Sequence, residues 1–168
     1  MDLLAKLLFT ILTLATVIGG WAVVNALQSR REVSKSLIAK LEGMREKLAQ
    51  LEALGKEFHS GQSHCAHKAN RIVRAIKLLS TELKDAEQSG AIKAGWAELQ
   101  FRLRSSMTLQ NFDPATFQTQ LYTSSVIMDF EYAKDSLDGY LMGSIRQLNE
   151  KLCQPESVWT MLKSIKPW

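Results

Sequence analysis

Residues 7–27 read LLFTILTLATVIGGWAVVNAL, and no charged side chain interrupts them. With residues 3–6 the apolar run is about long enough to cross a ~30 Å hydrocarbon layer at about 1.5 Å per helical residue. Lys6 lies one turn in, where its stem can reach the headgroups. A soluble helix needs a polar face, and none is visible here. The competing reading is a cleaved signal peptide, because Val24-Asn25-Ala26 has the small-residue pattern of a cleavage site. The run is longer than a usual signal core, however, and only Lys6 precedes it with positive charge. The stretch is therefore expected to be an uncleaved single-pass anchor in the lipid bilayer. Leu7, Phe9, Ile11, Leu14, Ile18, Trp21 and Val24 would be its lipid-contacting residues.

Within that anchor, Ala15 and Gly19, and likewise Thr16 and Gly20, form small-xxx-small pairs. Such pairs let helix backbones approach closely in lipid, so this face is a candidate for self-association. Working outward, Arg30, Arg31, Lys35, Lys40, Arg45 and Lys47 all follow closely. The positive-inside rule then favours a cytoplasmic bundle. A two-residue N-terminal tail is also common in proteins whose bulk lies outside, so the side stays open. Arg30 and Arg31 are the expected headgroup contacts.

Beyond the anchor, apolar residues recur at steps of four and three. Leu37, Leu41, Met44, Leu48, Leu51 and Phe58 form the first seam, with Gly55 as a gap, and charged residues fall between them. Neither glycine nor proline lies in residues 28–36, so this helix should continue the anchor without a break. The turn His59-Ser60-Gly61-Gln62-Ser63 follows, with Ser63 a candidate N-cap. A second seam carries Cys65, Ala69, Ile72, Ile76, Leu79, Leu83 and Ala86, ending at Ser89-Gly90. A third, shorter helix carries Ile92, Trp96, Leu99, Leu103 and Met107. Asn111-Phe112-Asp113-Pro114 then reads as a cap with proline at the first helical position. That predicts a fourth helix from Pro114 to about Cys153, with Phe117, Leu121, Ile127, Phe130, Leu137, Leu141, Leu148 and Leu152 inward. Gly139 and Gly143 would mark a kink or a close helix contact. After Pro155 a short amphipathic tail carries Val158, Trp159, Leu162 and Ile165.

The expected fold is all-α. A transmembrane helix (residues 1–28) leads into an antiparallel bundle of about four helices (29–154), and a C-terminal amphipathic tail (155–168) closes the chain. Trp159, Lys163, Lys166 and Trp168 in that tail suit a headgroup boundary.

Several constellations invite chemistry and are weak. In the bundle expected here, Cys65 and Cys153 would lie at opposite ends. About 25 helical residues separate such ends by ~37 Å, against a ~7 Å limit for bridged Cα atoms. Cys65 is expected to be a small core residue. His59, His64, Cys65 and His67 cluster, but their spacing does not converge on a metal, and they read as a polar turn with surface histidines. Lys68, Arg71, Arg74 and Lys77 form a basic sector, since no acid occurs between Glu57 and Glu82. That sector is a candidate anion contact. Without interleaved aromatics it does not suit nucleic acid. The simpler reading pairs it with Glu131, Asp135 and Asp138 of the fourth helix.

No glutamate has a histidine three residues on, as di-iron bundles require. No phosphate loop, nucleophile elbow or His-Glu-x-x-His occurs. No enzyme, cofactor or metal is expected. The net charge of +4 is modest. The leading expectation is a membrane-anchored structural or interaction protein that binds a protein partner or a second copy. A bundle-type sensor acting through a partner and a membrane-perturbing or lysis-related effector are the alternatives.

Overall fold

The computed structural model describes residues 2–153, and side chains from Lys6 onward. Four helices occur among them and no strand: α1 (Asp2–His59), α2 (Ala66–Gln88), α3 (Trp96–Thr108) and α4 (Ser125–Cys153). Residues 37–149 make up one compact unit, while residues 2–36 and 150–153 belong to another.

In the first unit the seams read from the sequence become the core. Leu41, Met44, Leu48, Leu51 and Phe58 are all buried, while Leu37 sits half-buried at its edge. Ala69, Ile72, Ile76, Leu79, Leu83 and Ala86 face them from α2. Leu103 and Met107 come from α3, and Ile127, Phe130, Ala133, Leu137, Leu141, Ile145 and Leu148 from α4. Each fully buried aliphatic side chain contributes about 1.5–3 kcal/mol of transfer free energy, so this seam stabilises the unit.

The direction of packing follows from paired side chains. Lys47 pairs with Glu82, and Lys68 with Glu57, so α1 and α2 run antiparallel. Arg45 pairs with Asp138, and Lys56 with Glu131, which sets α4 antiparallel to α1. Tyr140 donates its hydroxyl to the carbonyl of Lys93, just before α3, and Gln110, just after α3, donates its amide to Asp129, which sets α4 antiparallel to α3. The topology is up-down-up-down.

The connections are short and built from local chemistry. Gly90 (φ +73) and Gly95 (φ +119) supply the left-handed backbone that ends α2 and begins α3. The Ala91 amide donates to the Ala86 carbonyl at 2.8 Å, and Ala91 and Ile92 fold back into the core. Helix α2 starts later than Ser63. His64 packs edge-on against Phe58 at 5.5 Å and stays outside the helix, leaving Cys65 as an N-cap with no side-chain cap bond. Gly55, the gap in the first seam, is a close approach. A Cβ there would meet Met107 Cε at 2.5 Å and Phe130 Cζ at 3.4 Å.

The fourth helix is shorter than its sequence suggests. Asp113 Oδ1 accepts from the Ala115 amide at 2.9 Å, and the Thr116 amide closes one turn onto the Asp113 carbonyl. That turn does not propagate. Asn111 captures Gln118 with two bonds, one from the Gln118 amide and one to its carbonyl, both 2.8 Å, which holds the chain out of helical geometry. Ser124 is the working cap: its Oγ accepts from the Ile127 amide, and its carbonyl from the Met128 amide. Leu121 is consequently exposed, and Phe117 half-buried in the loop. Gly139 and Gly143 neither interrupt α4 nor meet any described atom within 4 Å of an added Cβ, so neither marks a close contact.

Helix α1 contains a stretch long and apolar enough to cross a membrane, and none of that window is buried.

Candidate functional site

The apolar stretch is the first candidate surface. Leu7, Phe9, Ile11, Leu14, Ile18, Trp21 and Val24 are all exposed, from Ile11 at 57% to Trp21 at 69%. In water such a surface is costly, because each apolar side chain forgoes its transfer free energy. Its threonine hydroxyls look inward instead. The hydroxyls of Thr10, Thr13 and Thr16 donate to the carbonyls of Lys6, Phe9 and Leu12, at 2.8, 2.8 and 3.1 Å. Helical backbone and back-bonded threonine leave little that needs water, which suits a hydrocarbon environment. Ala15, Thr16, Gly19 and Gly20 lie on the same exposed helix, and no described atom comes within 4 Å of a Cβ built on either glycine. Arg30 and Arg31 follow, both exposed. Trp159, Lys163, Lys166 and Trp168, proposed as headgroup contacts, lie outside the described residues.

The histidine turn departs from expectation. His59 is fully buried at 0% exposure instead of lying on the surface. Its Nε2 is 3.2 Å from the Met107 carbonyl, which can only accept, so Nε2 carries the proton. Its Nδ1 lies 3.3 Å from the Asn111 amide nitrogen and accepts from it. Asn111 is itself oriented by its two bonds to Gln118. The Gln120 amide donates to the His59 carbonyl at 2.8 Å, and the Thr119 hydroxyl to the Gly61 carbonyl. Around this network Phe58 packs against His64, Phe112 and Phe117, and Phe130 stacks on the imidazole. Burial holds the imidazole pKa below its ordinary value, only partly offset by the Met107 contact. Every polar atom of the ring has a partner, which makes this a locked end-plug of the bundle.

The sequence signal for this was thin. Phe58 followed the seam, and His59 reads as its polar neighbour. Met107, whose carbonyl fixes the tautomer, and Asn111, which donates to the other nitrogen, lie about fifty residues away in α3 and the loop after it.

Cys65 is likewise not a core residue. It is half-buried at the helix start, and both cysteines are free thiols. Among the described residues no three of His, Cys, Asp and Glu come together as a metal set.

The charged flanks differ. Between α1 and α4 the charges interlock. Arg45 Nε donates to Asp138 Oδ1 at 2.7 Å and its terminal nitrogen to Oδ2 at 3.0 Å, a two-point fork. Lys56 bridges Glu52 at 2.6 Å and Glu131 at 2.5 Å, and Lys134 reaches Glu52 at 3.1 Å. The Arg45 fork pulls the Asp138 pKa below the usual carboxylate value, and Lys56, then Lys134, do the same for Glu52. Of the three α4 acids expected to pair with the basic sector of α2, Glu131 and Asp138 therefore serve α1, and Asp135 pairs with Lys134 of its own helix. In that sector only Lys68 is paired, with Glu57 at 2.8 Å. Arg71, Arg74 and Lys77 are exposed and make no ion pair among the described residues. Arg71 and Arg74 line a groove of about 320 Å³ against α1, and Lys77 lines another against α3 with Arg104.

No protein-family model matches this sequence, and it matches neither a curated protein nor a solved structure.

Proposed function

We propose that this chain is a membrane-anchored helical-bundle interaction protein, an accessory or scaffold component of a membrane-associated assembly. The observation that carries the reading is the division of one unbroken helix into two chemistries. Its first half exposes an uninterrupted apolar surface, and its second half buries a heptad seam. The first half suits lipid and the second suits a packed core in water. Residues 7–27 cross the bilayer once, with Arg30 and Arg31 at one headgroup layer. The positive charge after the span favours a cytoplasmic bundle. Confinement to two dimensions raises the effective concentration of the bundle for a partner in the same membrane.

Cross-linking with mass spectrometry of the full chain in mild detergent tests the reading. Recovery of one stoichiometric protein partner, or a discrete homo-oligomer, is the expected result. Recovery of the monomer alone counts against it.

A further inference from the structure

We infer that the groove between α1 and α2 is a docking site for an acidic amphipathic helix of a partner protein. This inference rests on the interaction reading above and adds the surface and the chemistry of its occupant. The groove has an apolar floor of Leu51, Leu54, Ala75 and Leu78, and Lys47, Arg71 and Arg74 stand along it. No carboxylate lines it. Lys47 is engaged by Glu82, while Arg71 and Arg74 make no ion pair among the described residues.

Two features make this more than a solvated face. The first is contrast. On the opposite flank of α1, Arg45 and Lys56 are each matched by carboxylates of α1 or α4. On the α1/α2 flank Glu82 and Glu57 match Lys47 and Lys68, but Arg71 and Arg74 of α2 are left without an ion pair among the described residues. The second is the apolar component. Leu78 is 54% exposed although α2 otherwise turns its leucines inward. Arg71, Arg74, Ala75 and Leu78 stand at i, i+3, i+4 and i+7, one face of one helix. A helix with leucines at the same spacing would lay them against Leu54 and Leu78. Its flanking glutamates would then meet guanidinium forks whose planar geometry matches a carboxylate. Burial of the leucines supplies affinity, and the charges set register and orientation.

The test uses the full chain in phosphatidylcholine nanodiscs. The probe is a fluorescent peptide of about four helical turns, with leucines at i, i+3, i+4, i+7 and glutamates on both flanks. Its controls are a scrambled peptide of identical composition and a version with lysine for glutamate. Saturable binding of the acidic amphipathic peptide is expected. Arg71→Glu with Arg74→Glu should weaken it at least about tenfold and strengthen the lysine peptide. Lys77→Glu, on the other flank of α2, should leave it unchanged. Both arginines are exposed and make no ion pair among the described residues, so an unaltered helix signal and unfolding midpoint verify the fold of the double variant.

Equal binding of the scrambled peptide, indifference to the double variant, or binding only to phosphatidylglycerol vesicles would each overturn the inference. Cross-linking separates it from the broader reading. A partner recovered equally with the wild type and the double variant overturns the groove and leaves the scaffold standing. Absence of any partner removes the scaffold reading itself.

Discussion

His59 has both ring nitrogens engaged in a site without water access, and a second proton would have to sit on Nδ1, facing the amide hydrogens of Asn111. The folded protein therefore resists protonation, and its imidazole pKa is lowered. The unfolded chain takes up that proton near a pH of about 6.5. Between the folded and unfolded values the unfolded state binds more protons, so stability rises with pH through that window. It is fully present above about pH 6.5 and declines as pH falls below it. No carboxylate faces the ring: Lys56 and Glu131 nearby pair with each other, and Asp113 caps its own turn. Chemical denaturation of the full chain in detergent between pH 7.5 and 5 should show the decline, and His59→Gln should flatten it. An unchanged slope in the variant would mean that another group carries the effect.

Gly55 gives a second test at this scale. Alanine gains about 1 kcal/mol of helix propensity but must displace the flexible tip of Met107, so a net change near zero is expected. Valine adds bulk against both Met107 and Phe130, and should destabilise by about 1–3 kcal/mol. A denaturation midpoint unchanged by valine would show that Met107 and Phe130 do not close on Gly55.

At the scale of elements, α1 is one helix with two kinds of surface. Leu48 is fully buried, whereas Leu14 is 61% exposed. Leu48→Ala should cost the bundle about 2–5 kcal/mol through lost transfer energy and a residual cavity. Leu14→Ala should leave bundle unfolding, followed by a tryptophan or helix signal in detergent, where it was. Equal effects would refute the division of α1. The α1/α4 flank has its own pH window. Asp138 and Glu52 have depressed pKa values, so their contribution is present above the ordinary carboxylate range. It is lost as pH falls through their lowered values, well below the histidine window.

The elements also show what a sequence can say. The seams of α1 and α2 were legible because Leu41 to Phe58 and Ala69 to Ala86 repeat a strict apolar spacing, and spacing alone determines a helix face. The start of α4 was misread because Asp113-Pro114 is good cap chemistry wherever it occurs. What cancels it is the Asn111–Gln118 clasp, a pairing within the loop that no periodicity records. Thr123-Ser124-Ser125 before Val126 and Ile127 was the available signal for the true cap. His59 was missed for a related reason, since its partners come from α3, α4 and a loop.

For the whole molecule, charge was read correctly as a basic sector on α2 but wrongly as to its partners. Sequence spacing placed Glu131, Asp135 and Asp138 on one face of α4. Only the packing shows that Glu131 and Asp138 serve α1, while Asp135 pairs with Lys134. The length and apolar character of residues 7–27 needed no such information, because an uncharged run is visible in the sequence itself. Replacing Ile11 and Ile18 with lysine should abolish stable membrane association while leaving the buried seam intact. Each central charge costs about 2.5–3.5 kcal/mol on insertion scales, and release into the aqueous fraction is the measurement.

The most direct measurement is alkaline carbonate extraction of membranes carrying the full chain, followed by flotation and intact mass of the floated species. A single-pass anchor gives a floated chain whose mass retains residues 7–27. Recovery in the aqueous supernatant without detergent, or a floated mass lacking that stretch, would contradict it.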